Sequence, residues 1–170
     1  MANLPYAISV PLLALLAELP AAPRRMTALV QLEVAERLLA SPGEREFGAA
    51  TVVVAAAYTG RLVRRVPPAM FRPRPKVDSA VVQFERRPDA PSPDRLSRVG
   101  RLSAVLFTQR RKRARHPLSA LVGGIQAADE LLQGVTGDSE IRVERLGIEE
   151  LSMLAEALGE DGLPRPQTAR

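Results

Sequence analysis

The chain reads PPAMFRPRPKVDSAVV from Pro67 to Val82, which predicts a stiff loop that leads into a strand. Four prolines restrict the backbone of this stretch, so the segment that carries Phe71 has little conformational freedom. From Val77 to Glu85 the side chains alternate between two faces, as they do in a strand. One face takes Val77, Ser79, Val81 and Gln83, and the other takes Asp78, Ala80, Val82 and Phe84.

The residues before this loop predict a mixture of helices and strands. Apolar residues recur at helical spacing from Val10 to Leu19, and a short apolar run predicts a strand from Met26 to Gln31. A helix is predicted from Glu33 to Leu39 and a second strand from Arg61 to Val66. The segment from Phe47 to Tyr58 fits both types, because its valines favour a strand and its alanines a helix.

The residues after the strand predict helices. Leu96 to Leu106 form an amphipathic pattern that continues into a basic cluster, and Pro117 must end or restart that helix. Further helices are predicted at Ala127–Gln133 and Ile148–Leu158, and Gly159 ends the latter.

The pattern divides the chain into four parts. We expect a first α/β region at residues 1–86 and a linker at 87–94, since the surrounding stretch 86–94 holds three prolines. A helical region follows at residues 95–158. Residues 159–170 hold two prolines and few apolar side chains, so we expect a disordered tail.

Composition excludes several classes of site. The chain has 170 residues, 46% of them hydrophobic, and no cysteine, which removes disulfides, thiolate metal sites and a Cys nucleophile. The single histidine, His116, makes a His-based metal site or catalytic triad implausible. No apolar run reaches membrane-spanning length, and the first residues lack the layout of a secretion signal. We therefore expect a cytoplasmic monomer without a metal or a membrane contact.

The net charge of +5 comes almost entirely from arginine, since Lys76 and Lys112 are the only lysines. Arginine stays charged and grips phosphate through a planar fork, which favours a polyanion as partner. An arginine-rich proteome would explain the excess equally well, so clustering has to decide.

Near the start of the chain, Asn3-Leu4-Pro5-Tyr6 is a candidate motif for holding a planar amino group. The Asn3 side-chain oxygen and the Leu4 carbonyl, fixed by the proline that follows, offer two hydrogen-bond acceptors. The Tyr6 ring offers a face on which a base can stack. The alternative is a strand-to-helix turn in which Asn3 caps a helix, Pro5 lies in its first turn and Tyr6 is packing. On these four residues alone the alternative is favoured.

Further motifs change that balance. The sequence resembles the ribosomal RNA adenine dimethyltransferases in motifs that follow in family order: NLPY at residues 3–6, Gln31 with EVAERL at residues 33–38, the stretch from Pro67 to Val82, and FTQRRK at residues 107–112. The resemblance extends from residue 3 to about residue 155, nearly the whole chain. The departures are small: Ala7 replaces a polar residue, commonly Asn, and Leu32 replaces a common Lys.

The resemblance implies an α/β fold: the C-terminal half of a Rossmann-like class I methyltransferase sheet, followed by a small all-helical domain. Residues 1–86 become a partial catalytic domain on the target-base side, 95–158 an rRNA-binding domain, and 47–58 a helix. The family's S-adenosylmethionine site lies largely before the NLPY motif, in about three strand–helix units of roughly 30 residues each. Those units have no counterpart here, which a misplaced start, a fragment or a true truncation would explain. We expect residues 1–86 alone to be unstable and this chain not to bind S-adenosylmethionine.

The implied reaction transfers methyl groups from S-adenosylmethionine to the exocyclic amines of adenines in small-subunit rRNA. The resemblance gives the catalytic motif to Asn3, Leu4, Pro5 and Tyr6, adds Phe71 as a second aromatic wall, and places Asn3 at the S-adenosylmethionine site. If Asn3 and Leu4 accept the two amine hydrogens, the nitrogen lone pair is aimed at the methyl group and orientation supplies most of the catalysis. The extruded base would lie between Tyr6 and Phe71. Without the resemblance, Phe71 would be a core residue under the loop.

Basic residues supply the candidate RNA contacts: Arg72, Arg74 and Lys76 beside the expected base pocket, and Arg110, Arg111, Lys112 and Arg115 in the densest run. Together they could neutralise several phosphates and make binding steeply salt-dependent. The alternative is a solvated helix surface, because a helix cannot turn all these charges to one side.

Three functions stay open. The first is the housekeeping dimethylation of small-subunit rRNA, with rRNA and the small ribosomal subunit as partners, which the FTQRRK motif favours. The second is a large-subunit rRNA methylase of the macrolide-resistance type. The third is a non-catalytic RNA-binding or ribosome-assembly module.

Overall fold

The computed structural model describes residues 9–164 and, as backbone only, residues 2 and 3. The strands of these residues are β1 (Ala2–Asn3), β2 (Arg25–Gln31), β3 (Tyr58–Val66) and β4 (Ser79–Arg86). The α-helices are α1 (Ser9–Glu18), α2 (Leu32–Leu39), α3 (Ala49–Ala57), α4 (Pro93–Leu106), α5 (Arg115–Val122), α6 (Ile125–Thr136) and α7 (Ile148–Leu158). Short 3-10 helices lie at Pro68–Met70, Phe107–Gln109 and Val143–Arg145.

The four strands form one sheet in the order β1-β2-β4-β3. β1 runs parallel to β2, and β4 runs antiparallel to both β2 and β3. The predicted alternation is confirmed from Ala80 to Phe84, since Ala80, Val82 and Phe84 are buried while Val81 and Gln83 are half-buried; Ser79 is buried as well, and Val77 and Asp78 precede the strand. The strands predicted around β2 and β3 are confirmed as well.

Helices α1, α2 and α3 pack on the side of the sheet that carries Ala28, Val30 and Val82. Strand β3 comes so close to α2 that a Cβ on Gly60 would lie 2.6 Å from Cδ2 of Leu39 and 2.7 Å from Cε1 of Phe84. Such distances are shorter than any van der Waals contact, so this position requires a glycine.

The ambiguous segment at residues 47–58 forms the helix α3. Its residues from Thr51 to Val54, together with Ala56 and Ala57, are all buried, which explains why its local pattern lacks a polar side. The Thr51 hydroxyl donates to the Arg37 carbonyl at 2.7 Å and accepts from the Gly48 N–H at 3.2 Å. This helix therefore lies between two cores instead of on the surface.

A second hydrophobic core is formed mainly by α4 to α7. Phe47 and Val52 belong to this core, while Leu96 of α4 belongs to the core beneath the sheet. Between β4 and α4, the Arg87 N–H donates to the Ala57 carbonyl at 3.0 Å, and the Ser92 hydroxyl caps α4. The two cores therefore share elements from both sides of residues 87–94, and the division into domains at that point stays a prediction.

Two expectations differ from the structure. The basic cluster does not extend α4, which ends at Leu106; a 3-10 helix and a loop with turns follow, and α5 starts anew with Pro117 in its first turn. The predicted disordered tail begins with ordered contacts, because Leu163 is only 6% exposed in the second core and Arg101 donates to the Pro164 carbonyl at 3.2 Å. Residues 165–170 lie outside the described residues. Among the described helices, none is long and apolar enough to span a bilayer.

Candidate functional site

One edge of the sheet collects the segments that the sequence singles out. β1 ends at Asn3 and the parallel β2 ends at Gln31, so both strands present their carboxyl ends at this edge. Gln31 pairs with Ser79 and Ser79 pairs with Val66, which brings both ends of the 67–78 loop to the same edge. Ligands of open α/β sheets bind outside the carboxyl ends of strands. The structure therefore brings the loop that carries Phe71 and the end of the NLPY strand to a position suited to binding.

A cleft of about 460 Å³ opens at this edge. Its lining combines acidic, amide, basic and apolar side chains: Gln31, Leu32, Glu33, Glu36, Pro68, Lys76, Val77 and Asp78. The Leu32 N–H donates to the Asp78 carbonyl at 2.9 Å and so ties the start of α2 to the residue before β4. This hydrogen bond thus holds two of the cleft's lining residues together.

The proline-rich loop exposes most of its side chains. Met70 is 64% exposed and Phe71 is half-buried, outside both hydrophobic cores, which disfavours the core alternative for Phe71. The Phe71 N–H donates to the Pro68 carbonyl at 3.1 Å. Arg72, Arg74 and Lys76 are exposed.

The described residues include only part of the predicted catalytic motif. The backbone of Asn3 pairs with Leu29 of β2. The Asn3 side chain and residues Leu4, Pro5 and Tyr6 lie outside the described residues, so the two-acceptor arrangement stays a prediction.

Within the basic run at residues 110–115, some side chains form ion pairs with nearby carboxylates and others do not. Arg110 lies 3.7 Å from Glu144 and donates to the Glu44 carbonyl at 2.7 Å. Arg115 pairs with Asp129 at 3.3 Å and with Glu140 at 2.7 Å. Two of the predicted RNA contacts, Arg110 and Arg115, are therefore engaged within the protein.

Arg111 and Lys112 are exposed and line a second cleft, of about 540 Å³, together with Arg113, His116 and Arg142. Arg113 is paired with Glu140. The sequence analysis did not single out Arg142, because it stands alone between acidic and apolar residues. Its place in the cleft follows from backbone pairing that no local pattern reveals.

The groups with clearly shifted pKa values lie away from the sheet edge. Burial raises the pKa of Glu18, at the end of α1. A hydrogen bond from Arg101 lowers the pKa of Glu160, and one from Arg25 lowers the pKa of Glu85. Within the described residues, no group of three His, Cys, Asp or Glu side chains is placed to hold a metal ion.

Solved structures with a similar backbone define the fold class. A crystal structure of a dimethyladenosine transferase from Plasmodium falciparum superposes with a TM-score of 0.79 at 21% identity, covering 95% of this chain and 66% of that one. The 23S rRNA methyltransferase ErmE gives a TM-score of 0.62 at 23% identity, covering 92% and 63%. The fold is therefore that of a Rossmann-like methyltransferase, as the sequence predicts.

Sequence comparison narrows the class to a family. The family described as "Ribosomal RNA adenine dimethylase" matches residues 1–157, and the chain belongs to that family. The protein named ribosomal RNA small subunit methyltransferase A from Kineococcus radiotolerans is 39% identical over 156 residues, which are 91% of this chain and 52% of the relative. The protein of the same name from Rubrobacter xylanophilus is 42% identical over 154 residues, 90% and 57% of the two lengths. The chain spans about half the length of these relatives.

Proposed function

We propose that this chain is the target-base and RNA-binding part of an adenine dimethyltransferase that acts on small-subunit rRNA. The observation that carries the proposal is the convergence of Asn3, Gln31 and the Phe71 loop at the carboxyl edge of one sheet. The names of the relatives favour the small subunit over the large one.

The chain's own residues would bind and orient the target adenine. The half-buried Phe71, on a loop stiffened by prolines, would form one wall for the extruded base, and Tyr6 the other. The Asn3 side chain and the Leu4 carbonyl would accept the two hydrogens of the exocyclic amine and direct its lone pair. The exposed Arg72, Arg74 and Lys76 would hold the phosphates beside the flipped nucleotide.

S-adenosylmethionine would supply the methyl group on its sulfonium. Of this chain's residues, Asn3 would lie at that site, because its strand ends at the edge where such a ligand fits. We expect the remaining donor-site residues in the part of the relatives that has no counterpart in this chain. The reaction needs no described residue as a general base, because orientation of the amine is the main task.

The test compares this chain with a form extended by the coding sequence upstream of residue 1, here called the extended protein. Both are incubated with labelled S-adenosylmethionine and with small or large ribosomal subunits from cells that lack the modification. We expect the extended protein to label the adenines of the small subunit, and this chain alone to label neither subunit.

Labelling of the large subunit instead would assign the chain to the macrolide-resistance type of methylase. If the extended protein binds RNA but labels neither subunit, the proposal is wrong and the chain is a non-catalytic RNA-binding module. Binding of S-adenosylmethionine by this chain alone, measured by calorimetry, would contradict the assignment of its donor site.

A further inference from the structure

A cleft of about 600 Å³ lies between α1, α3 and α4, and it shares no lining residue with the cleft at the sheet edge. Two charged side chains line it, Glu18 of α1 and Arg101 of α4. Much of the remaining lining consists of small residues, among them Ala49, Ala50, Gly100 and Ala104. The cleft can therefore take a narrow segment that has few bulky side chains.

The carboxylate of Glu18 lacks a cation. Glu18 is the last residue of α1 and is half-buried, and its Oε1 lies 3.2 Å from the position that a Cβ on Gly100 would take. Burial raises the pKa of Glu18, and within the described residues this carboxylate forms no ion pair or hydrogen bond. A carboxylate withdrawn from water at the negative end of a helix is unfavourable, so a cation placed beside it would be stabilised.

Arg101 does not supply that cation, because it is engaged elsewhere. Its Nη2 pairs with Glu160, and its Nη1 donates to the Pro164 carbonyl at 3.2 Å. Pro164 itself lines the cleft, and the preceding Leu163 is only 6% exposed in the second core. The chain is therefore held at the cleft up to Pro164.

The residues that follow Pro164 are complementary to this cleft in charge and size. They read RPQTAR from 165 to 170, with two cations and no anion. The Cα of Arg165 is about 3.8 Å from that of Pro164, so its guanidinium starts from the cleft wall. Pro166 has no N–H, so an apolar surface can cover it without leaving a backbone donor unsatisfied. Thr168 and Ala169 are small, as the lining requires.

The attachment at Pro164 also lowers the cost of binding. A segment joined directly to its site binds intramolecularly, at an effective concentration on the order of millimolar. One ion pair and a few apolar contacts are then sufficient to keep it bound, although the same segment as a free peptide would bind weakly.

We propose that residues 165–170 bind in the cleft between α1, α3 and α4, with the guanidinium of Arg165 paired to the carboxylate of Glu18. The segment connects α1, which follows the NLPY motif, to α4 of the helical region. This contact requires neither RNA nor methyl transfer, so its failure would leave the proposed function untouched.

The first test traps the segment with a disulfide. The chain has no cysteine, so two introduced thiols can react only with each other. Ala104→Cys is combined with Thr168→Cys, oxidised with copper phenanthroline and analysed by mass spectrometry. The control combines Thr168→Cys with Ala127→Cys, since Ala127 is an exposed helical alanine outside the cleft.

We expect the disulfide within one chain to form roughly tenfold faster with the cysteine at position 104 than with that at position 127. Equal rates would overturn the proposal. A disulfide that forms only between two chains would assign the cleft to the segment of a second copy, and would overturn it as well.

A second comparison separates specific binding from mere proximity. Glu18→Gln, added to the pair at positions 104 and 168, should slow trapping severalfold, because the amide cannot form the ion pair. Asp161→Asn is the matched control, since it neutralises an exposed carboxylate that does not line the cleft, and it should leave the rate unchanged. An unchanged rate in Glu18→Gln, or equal slowing in both variants, would contradict the proposal.

Thermal midpoints test the ion pair without cysteines. Glu18→Gln and Arg165→Ala should each lower the midpoint by about 2 °C, and the double variant should lower it no further than either single change. Arg170→Ala removes the other arginine of the segment and should leave the midpoint unchanged.

The direction of the change in Glu18→Gln is decisive. If the carboxylate were unpaired, the amide would remove the cost of burying a charge and the midpoint would rise, which would overturn the proposal. A fall in Arg170→Ala without a fall in Arg165→Ala would overturn the pairing with Arg165.

Discussion

The core around α4–α7 is enclosed on every side, whereas the sheet region is well covered on one face only. Leu102, Leu118, Leu132 and Leu154 in the helical core have no exposed surface. On the sheet, Val30 and Val82 are equally buried, but their neighbours Leu29 and Val81 on the opposite face are half-buried.

The edge strand β3 adds to this contrast, because its Leu62 and Val63 are 38% and 46% exposed. In contrast, ion pairs join α4 to α7 and the residues after it, through Arg95 with Glu156 and through Arg98 and Arg101 with Glu160. The difference teaches that the helical region is covered more completely than the sheet region. The sheet region carries the candidate chemistry and offers a face that further protein can cover.

The largest expected effect compares one leucine from each region. Leu132→Ala removes a fully buried side chain and should lower the free energy of unfolding by about 2–5 kcal/mol. Leu29→Ala removes a half-buried one and should cost about 1 kcal/mol. Urea denaturation of both variants checks this, and equal losses would show that the two regions are enclosed to the same degree.

A smaller effect tests the covered side of the sheet. Gly60→Ala forces a methyl group against Leu39 and Phe84 and should cost roughly 1–3 kcal/mol, again measured by urea denaturation. Gly134→Ala is the control, because a Cβ there meets nothing within 4 Å. An unchanged stability in Gly60→Ala would mean that the covered side is packed as loosely as the open one.

The smallest effect concerns the ion pairs that join α4 to the residues after α7. Arg101 lowers the pKa of Glu160 from its ordinary value of 4.5, so the pair stabilises the fold above that pH and the stability is lost as pH falls through the lower folded value. Glu160→Gln should therefore lower the thermal midpoint slightly at pH 7 and have no effect in strong acid. Asp161→Asn, which changes an adjacent exposed carboxylate, should show no such pH dependence. A loss that persists in acid would argue that the contact is not electrostatic.

Local sequence patterns predicted those helices and strands in which buried and exposed side chains recur with the repeat of the element itself. The alternation around Val81 and Val82 and the apolar spacing of α7 were sufficient, and the boundaries of α7 match the prediction. Helix α3 could be predicted only with the family resemblance. Because it is buried on nearly all sides, its sequence lacks the alternation of apolar and polar residues that indicates a helix. Leu163 packs in the second core, so the local composition did not reveal that residues 159–164 are ordered.

The candidate site was also predicted only in part, because local patterns do not reveal contacts between residues that are distant in the sequence. The motifs indicated the segments that meet at the sheet edge, and the glycine at position 60 was a missed signal of close backbone approach. The basic run indicated a charged surface, but its partners Asp129, Glu140 and Glu144 are separated from it along the chain. Sequence alone therefore could not show which arginines are paired, nor that Arg142 joins them.

The most direct test of the account measures methyl transfer and RNA affinity in parallel for Asn3→Ala in the extended protein. On the proposal that Asn3 orients the target amine while the helical region holds the RNA, we predict a loss of methyl transfer on the order of 100-fold. The RNA affinity should stay within about twofold, since no phosphate contact is removed. An equal loss of both quantities would contradict the division of work between the sheet edge and the helical region.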